Sequence, residues 1–312
     1  MGNTFYFEWE VQLMEAVQSI APTIGKWIAS ILTMCGEQYV LVIVMGFLYW
    51  SYDKKYGKFL GVNILVGTVW NPLIKNVFCR RRPYFDHPGI KCLKPVEAEA
   101  DIMDIAAQGY SFPSGHSMNS VAIYGSLPVY DGMGKKHKWI TVVAFVMPFL
   151  IGLSRIYLGV HYPTDVMVGW AVGVLLVFLV SFLQRKIKKS WVLYLIIALT
   201  GVPGLFYCTS DDYFTCFGLM IGAFAGFLFE EHFVKFENTK SPVRMVLRVI
   251  GGGLVYLVIN VGLKLPFSKE FLACGSVAAH MVRLGRYLFV GFGMVGLYPM
   301  LFKYTAKIGS KK

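Results

Sequence analysis

The sequence predicts an all-α polytopic membrane protein, and two features of composition and one of pattern carry that prediction. Of the 312 residues, 56% are hydrophobic and only 15% are charged, whereas soluble domains carry about 25% charged residues. The mean hydropathy is +0.55. Apolar runs long enough to cross a bilayer, which takes about 20 residues each, recur along the whole chain.

Nine hydrophobic spans are predicted when the apolar runs are divided at the charged stretches between them. They lie near 37–51, 57–78, 116–131, 138–154, 164–183, 190–207, 213–230, 245–263 and 284–303. An amphipathic segment over residues 1–36 precedes them and contains a short helix near 23–34. Gly and Pro within the spans are ordinary for membrane helices.

Basic residues concentrate in the loops that this map places on one side of the membrane. These loops hold "DKKYGK" (53–58), "GKKHK" (134–138), "QRKIKK" (184–189), the stretch around Lys235, Lys240 and Arg244, and the tail "KYTAKIGSKK". The positive-inside rule makes that side cytoplasmic. The net charge of +12 therefore fits orientation in the membrane and contact with anionic lipid headgroups, and we expect no nucleic-acid partner.

One cationic cluster lies on the opposite, non-cytoplasmic side, against this trend. The stretch "KNVFCRRRPY" (75–84) falls there, and so does Arg155. A positive cluster that opposes the orientation rule indicates an anionic ligand.

Three polar stretches on that side predict a phosphate site. Lys75, Arg82 and Arg155 supply three fixed cations, and the planar guanidinium group matches phosphate oxygens. The sequence "PSGH" at a helix start is expected to leave backbone N–H groups free around Ser114, Gly115 and His116. Glycine allows the close approach of an oxyanion, and the helix dipole favours negative charge there.

Two histidines supply the predicted chemistry. His161 and Asp165 are one helical turn apart, with Pro163 suited to the first turn. A carboxylate near one ring nitrogen fixes the tautomer and leaves the other nitrogen free as a nucleophile. His116 is then the general acid that protonates the departing oxygen. The loops predicted on the non-cytoplasmic side contain no acidic cluster of metal-ligand character. We therefore expect a metal-free mechanism without a cofactor.

Each of these residues has a simpler alternative when it is taken alone. Arg155 is then a snorkelling charge at a helix end, His116 a capping or satisfied polar residue, and Asp165 a charge at a helix N-terminus. Their complementary roles on one face favour the catalytic interpretation. Arg80 and Arg81 stay open between contact with a substrate headgroup and contact with a lipid phosphate.

The six cysteines show no zinc-like CxxC spacing. Cys79 and Cys92 share one predicted loop, where a disulfide would form only on an oxidising side.

The three stretches resemble the signature motifs of the type 2 phosphatidic acid phosphatase superfamily. "KNVFCRRRP" fits Lys-x6-Arg-Pro, "PSGH" stands unaltered, and "SRIYLGVHYPTD" fits Ser-Arg-x5-His-x3-Asp. The resemblance implies phosphate binding by Lys75, Arg82, Ser114, Gly115 and Arg155. It also implies that His161 forms a phosphohistidine, that His116 is the general acid, and that Asp165 is the partner of His161.

The resemblance is strong over residues 57–183 and implies a six-helix phosphatase core, whereas the apolar runs that follow predict about three C-terminal transmembrane helices. The predicted segments are an amphipathic N-terminal segment (1–36), the phosphatase core (37–207) and a C-terminal extension (208–312). Small members of the family end soon after the third motif. The nine-span layout is similar to glucose-6-phosphatase and to sphingosine-phosphate phosphatases, and we expect the extra spans to serve in packing or as a lipid path.

The expected function is an integral membrane phosphoric monoester hydrolase acting on a lipid of the phosphatidate or sphingoid-base phosphate class. The active site is expected on the non-cytoplasmic face, with the lipid substrate and membrane lipids as partners. A bacterial plasma membrane is the favoured location, and the endoplasmic reticulum is the eukaryotic equivalent. The alternatives are a prenyl (undecaprenyl) diphosphate phosphatase and a glucose-6-phosphatase-like sugar phosphatase. A silent lipid transporter is disfavoured, because transporters keep ionisable residues near the bilayer midplane.

Overall fold

The protein is helical throughout the residues that the structure describes, which are 2–130 and 133–305 of a computed structural model. The longer helices are α1 (Glu8–Ser19), α2 (Pro22–Met34), α3 (Gln38–Phe47), α4 (Lys54–Phe78), α9 (Lys138–Tyr157), α10 (Pro163–Lys186), α11 (Ser190–Gly201), α13 (Asp211–Phe229), α14 (Pro242–Gly262) and α16 (Val277–Phe292). The shorter ones are α5 (Pro83–Asp86), α6 (Ile105–Gln108), α7 (Gly115–Ser120), α8 (Met133–Lys136), α12 (Gly204–Tyr207) and α15 (Lys269–Ala273). Four helices continue as π-helical turns, namely α3 over Leu48–Tyr52, α7 over Val121–Gly125, α13 over Glu230–Val234 and α16 over Gly293–Leu297.

Six helical segments in the described part of the chain are long and apolar enough to cross a membrane by length and composition. They are Lys138–Tyr157, Pro163–Lys186, Ser190–Tyr207, Asp211–Val234, Pro242–Gly262 and Val277–Tyr304. The all-α membrane class is therefore confirmed, and each of the six corresponding predicted spans lies in a long apolar helix.

The other three predicted spans are helical but do not meet those criteria. The span near 57–78 lies in α4, whose 25 residues carry lysines at both ends and asparagines between them. The span near 37–51 is a short apolar helix with a π-helical end. The span near 116–131 ends as a helix at Gly125 and continues as a turn.

The chain divides into two compact units. The first unit comprises Met1–Leu41 and Trp70–Ser181, and the second comprises Val42–Val69 and Phe182–Lys312. All three signature motifs lie in the first unit. The division of the chain into segments 1–36, 37–207 and 208–312 stays a prediction.

In the first unit, α1, α2 and α7 pack against α9. Two buried clusters hold the loop after α9 in place. Met14 of α1 packs with Ile156, Tyr162 and Val166, and Ala29 of α2 packs in a second cluster with Tyr84, Leu158 and Val160. The N-terminal segment is thus part of the core that surrounds the third motif.

A glycine sets the distance between α10 and the second motif. A Cβ added at Gly169 would lie 2.8 Å from the carbonyl oxygen of Ser114 and 3.0 Å from Cβ of Ser117. Both separations are below ordinary contact, so only glycine permits this approach. The packing brings the start of α7 against the first turns of α10.

The second unit is built around the packing of α13 against α16. Gly218 and Gly222 of α13 face the carbonyl groups of Leu284 and Leu288, and an added Cβ would lie 2.2 and 2.0 Å from those oxygens. Small residues at such an interface allow helix backbones to approach closely, as is usual in membranes.

Candidate active site

The first motif places Arg82 in a fully defined position. Arg82 precedes α5, whose first residue is Pro83, and its side chain is only 2% exposed. Its Nε donates to the carbonyl oxygens of Gln108 at 2.8 Å and Gly109 at 3.1 Å, and its Nη1 donates to that of Val160 at 2.9 Å. Main-chain acceptors therefore fix the guanidinium group without neutralising its charge.

Lys75 lies in the last turn of α4, seven residues before Arg82 in the sequence. Its positive charge is one of the causes that lower the pKa of His161.

The second motif begins α7. Ser114 is the residue before the helix, and its Oγ accepts from the N–H of Ser117 at 3.3 Å and from Oγ of Ser117 at 2.9 Å. The side chain of Asn71 holds the preceding turn, because its Nδ2 donates to the carbonyl of Pro113 at 3.1 Å. A Cβ added at Gly115 would lie 3.0 Å from Oδ1 of the same asparagine. Asn71 therefore packs against both sides of this turn.

His116 follows in α7 with Nε2 buried and without a hydrogen-bond partner among the described residues. An unpaired buried ring nitrogen is costly, and a ligand that supplies the missing partner relieves that cost. The charges of Arg155, Lys75 and Arg82 all act on this histidine.

The third motif joins the end of α9 to the start of α10. Arg155 lies in the last turn of α9, and its Nη1 donates to Oγ1 of Thr33 at 2.8 Å. Its Nε has no partner in the described part of the chain. One edge of this buried guanidinium is thus fixed by α2, and Nε makes no hydrogen bond to the described residues.

His161 has its two ring nitrogens facing different groups. Nε2 lies 3.5 Å from Nη1 of Arg82, and Nδ1 lies 3.4 Å from Oδ2 of Asp165. The Nδ1 contact is longer than a good hydrogen bond, and Nδ1 is buried without a hydrogen-bond partner among the described residues. Oδ2 itself accepts the backbone N–H of Tyr162 at 2.8 Å. With Nδ1 towards the carboxylate, Nε2 is the nitrogen directed at the cationic cluster.

The electrostatic environment favours neutral His161. Burial lowers the pKa of His161 well below its ordinary value, and the positive charges of Arg82, Arg155 and Lys75 lower it further. A neutral imidazole keeps the lone pair that a nucleophile needs.

Arg80, which the sequence left open between a substrate headgroup and a lipid phosphate, contacts neither kind of surface. It is 1% exposed, and it donates to Oδ1 of Asp165 at 2.6 Å and to Oε2 of Glu10 at 2.9 Å. Its guanidinium carbon also lies 3.9 Å from the ring centre of Tyr162. Arg81 is ion-paired with Asp86. Both arginines therefore serve contacts within the protein.

Three further residues near the cationic cluster were not found from the sequence, namely Glu10, Thr33 and Lys94. Lys94 contributes positive charge to the surroundings of His116. Its Nζ forms an ion pair with Oε1 of Glu37 at 2.6 Å. All three are supplied by segments outside the signature motifs. The sequence carried one signal for Glu10. It precedes Met14 by four residues, so both residues lie on one face of the amphipathic first helix.

The described residues hold no group of three or more His, Cys, Asp or Glu side chains that could bind a metal ion. Cys79 and Cys92 are both free thiols in the structure.

The arrangement is suited to phosphoryl transfer. Three cations contribute positive charge around the buried imidazole of His161, whose Nε2 faces Arg82, and a second histidine lies within the same charge cluster. Fixed cations stabilise the charge that develops on phosphoryl oxygens in the transition state.

Two family models match the chain in succession. The model described as the PAP2 superfamily matches residues 56–189, and the one described as the PAP2 superfamily phosphatase, transmembrane extension, matches residues 214–310. Every predicted site residue lies within the first match.

Individual relatives align with about half of this chain. The chain is 33% identical over 156 residues to phosphatidylglycerophosphatase B of Bacillus subtilis, an alignment that covers 48% of this chain and 68% of that protein. It is 28% identical over 161 residues to an undecaprenyl-diphosphatase of Sulfolobus acidocaldarius, covering 51% of this chain and 68% of that protein. The crystal structure of a transmembrane PAP2-type phosphatidylglycerolphosphate phosphatase from Bacillus subtilis is 28% identical, with a TM-score of 0.45 over 58% of this chain and 87% of that chain.

Proposed function

We propose that this chain, which belongs to the PAP2 superfamily of membrane phosphatases that act on lipid phosphates, removes the terminal phosphomonoester of a lipid of the phosphatidate or sphingoid-base phosphate class. The observation that carries the proposal is the placement of Nε2 of His161, 3.5 Å from the buried guanidinium group of Arg82. A phosphate held by that arginine places its phosphorus within reach of the nucleophilic nitrogen.

The first chemical step forms a phosphohistidine. Nε2 of His161 attacks phosphorus, the P–O bond to the lipid breaks, and His116 donates a proton to the departing oxygen. The phosphate dianion offsets the surrounding positive charges and so favours the protonated form of His116 for this step. Asp165, 3.4 Å from Nδ1, stabilises the positive charge that develops on the ring of His161.

The second step returns the enzyme to its starting state. His116, now neutral, takes a proton from a water molecule, the water oxygen attacks phosphorus, and the P–N bond to His161 breaks. Inorganic phosphate leaves. Lys75, Arg82 and Arg155 stabilise the phosphoryl oxygens in both steps.

The site is proposed to face away from the cytoplasm, in a bacterial plasma membrane or in the lumen of the endoplasmic reticulum of a eukaryote. Five basic loops on the opposite side of the sequence map support this orientation. An amphiphile would then present its headgroup at the interface and keep its chain in the bilayer.

A second candidate is hydrolysis of a prenyl diphosphate, which the similarity to the undecaprenyl-diphosphatase of Sulfolobus acidocaldarius favours. The same attack applies, with a prenyl monophosphate as the leaving group. The similarity to phosphatidylglycerophosphatase B adds phosphatidylglycerophosphate to the candidate monoesters.

A substrate panel in detergent tests the proposal. Phosphate release is measured from phosphatidate, phosphatidylglycerophosphate, sphingosine phosphate, undecaprenyl diphosphate and glucose 6-phosphate, with wild type and His161→Ala. We expect the largest kcat/KM for a lipid monoester and no release by the variant. A larger kcat/KM for undecaprenyl diphosphate or glucose 6-phosphate would contradict the proposed substrate class. Full activity of His161→Ala would contradict the mechanism.

A further inference from the structure

The N-terminal helix inserts a fully buried carboxylate beside the third motif. Glu10 of α1 is 0% exposed. Its Oε1 accepts from the backbone N–H of Thr164 at 3.0 Å and from Oγ1 of the same residue at 2.6 Å. Its Oε2 accepts from Nη2 of Arg80 at 2.9 Å and from the N–H of Phe7 at 2.9 Å. Both oxygens are therefore held by two donors each.

Arg80 connects this carboxylate to the third motif. Its Nη1 donates to Oδ1 of Asp165 at 2.6 Å and to Oγ1 of Thr164 at 2.7 Å, while Nη2 is used by Glu10. Its Nε donates to the carbonyl of Phe5 at 2.7 Å. Every edge of the guanidinium group is occupied, so its orientation is fixed.

The backbone on both sides of Arg80 is tied to the same N-terminal segment. The N–H of Asn3 donates to the carbonyl of Cys79 at 2.8 Å, and the N–H of Arg81 donates to the carbonyl of Asn3 at 2.9 Å. The N-terminal segment lies outside the part of the chain that the superfamily model matches. This chain therefore completes the surroundings of its third motif with residues from beyond that region.

The charges of Glu10, Arg80 and Asp165 affect how well positive charge is stabilised on His161, the proposed nucleophile. With both buried carboxylates ionised, Glu10, Arg80 and Asp165 together carry one net negative charge, because Arg80 balances only one of them. Asp165 is the member that touches the ring of His161, with Oδ2 3.4 Å from Nδ1. A single arginine–aspartate pair would be neutral, and it would stabilise the developing positive charge on His161 less.

From these contacts we infer that Glu10 is a positioning residue for the reaction. Through Arg80 it fixes the carboxylate of Asp165 against His161, and it supplies the excess negative charge that supports phosphohistidine formation. The inference rests on the proposed function, since it assigns Glu10 a role in the same catalytic site.

The test uses the full-length protein in detergent and three variants. Glu10→Gln keeps the shape and removes the charge, and Glu10→Asp keeps the charge but is one methylene too short to reach both Arg80 and Thr164. Glu8→Gln is the matched control, because Glu8 is an exposed carboxylate of the same helix. The measurements are kcat, KM and the pH dependence of kcat/KM with a lipid monoester, together with the melting temperature.

The pH profile separates positioning from a merely structural role. The charged and titratable groups that face His161 are Arg82, Arg155, Lys75, His116 and Asp165. Loss of the Glu10 charge makes this environment more positive, so the acid limb of kcat/KM moves to lower pH.

We expect Glu10→Gln to lower kcat about 10-fold to 100-fold, the size typical of a misplaced catalytic group, with KM unchanged and the acid limb shifted down. Glu10→Asp lowers kcat and leaves the acid limb of kcat/KM at its wild-type pH. Glu8→Gln behaves as wild type in both measurements. A folded Glu10→Gln with wild-type kcat, or with a lowered kcat and an unmoved limb, overturns the inference.

If Glu10→Gln does not fold, Glu10→Asp decides, and wild-type kcat in that variant overturns the inference. Failure of the proposed function has a different signature. Wild type itself then releases no phosphate from any lipid, which removes the proposed function and this role of Glu10 together.

Discussion

The backbone N–H of Ser114 donates a hydrogen bond to the carbonyl oxygen of Asp165 over 2.9 Å. Ser114 lies in the second motif and Asp165 closes the third, so one main-chain bond joins two stretches that are distant in sequence. Because Asp165 also touches His161, this bond fixes the spacing between the proposed phosphate cradle and the nucleophile.

Replacing Gly169 by alanine is expected to separate these two motifs. The added Cβ would lie 2.8 Å from the Ser114 carbonyl oxygen, and overpacking of this kind costs about 1–3 kcal/mol. We expect a lower melting temperature and a lower kcat for phosphate release. Gly253→Ala in α14 is the control, because nothing lies within 4 Å of its added Cβ. Equal behaviour of the two variants would contradict the proposed spacing role.

Arg82→Lys is expected to lower kcat/KM about 10-fold to 100-fold. Lysine keeps the charge but loses the fork that bonds the carbonyls of Gln108 and Val160, and a hydrogen bond to a charged group is worth about 1.5–3 kcal/mol. Steady-state kinetics measure the change. Arg185→Lys, at an exposed position near the end of α10, is the matched control. Wild-type kcat/KM for Arg82→Lys would show that charge alone suffices at position 82.

Thr33→Val is expected to weaken substrate binding more than chemistry. Oγ1 of Thr33 accepts from Nη1 of Arg155 at 2.8 Å, and valine of similar shape removes that acceptor. Loss of a partner for a buried charged group costs about 1–3 kcal/mol, so KM rises while kcat changes little. If variants of Arg155 raise KM and Thr33→Val does not, the proposed support of substrate binding by Thr33 is contradicted.

The acid limb of kcat/KM is expected below the ordinary histidine pKa of about 6.5. Burial and the neighbouring cations lower the pKa of His161, so the neutral nucleophile persists as the pH falls through 6.5, and activity is lost only as the pH passes the lowered pKa. Profiles are recorded with a phosphate and a thiophosphate monoester, since the ionisation of the substrate differs between them. A substrate-independent limb at or above about pH 6.5 would contradict this environment for His161.

The family and the membrane class were predictable because they depend on local patterns. The three motifs each have a fixed spacing, and the resemblance that they indicate is confirmed by a superfamily match over residues 56–189. Apolar runs likewise identify the six spans directly. The C-terminal extension, predicted from its apolar runs alone, corresponds to a second match over residues 214–310.

The contacts of Arg80 were not predictable for a physical reason. Three consecutive arginines, 80 to 82, have the same local sequence character, and only the tertiary packing directs each side chain. Arg82 points towards His161, Arg81 pairs with Asp86, and Arg80 is enclosed by α1 and α10. Glu10 was hidden for the same reason, because a contact across 70 residues leaves no mark on spacing.

The most direct test of the proposed chemistry is to trap the phosphoenzyme. Wild type, His161→Ala, His116→Ala and the control His232→Ala, an exposed histidine in the second unit, are mixed with a lipid monoester carrying labelled phosphate and quenched within the first turnover. We expect acid-labile, base-stable label on His161 in wild type and in the control, and none in His161→Ala, whose kcat falls at least about a thousandfold. His116→Ala forms and loses the label slowly. Undiminished label and phosphate release in His161→Ala would show that another group attacks the phosphorus.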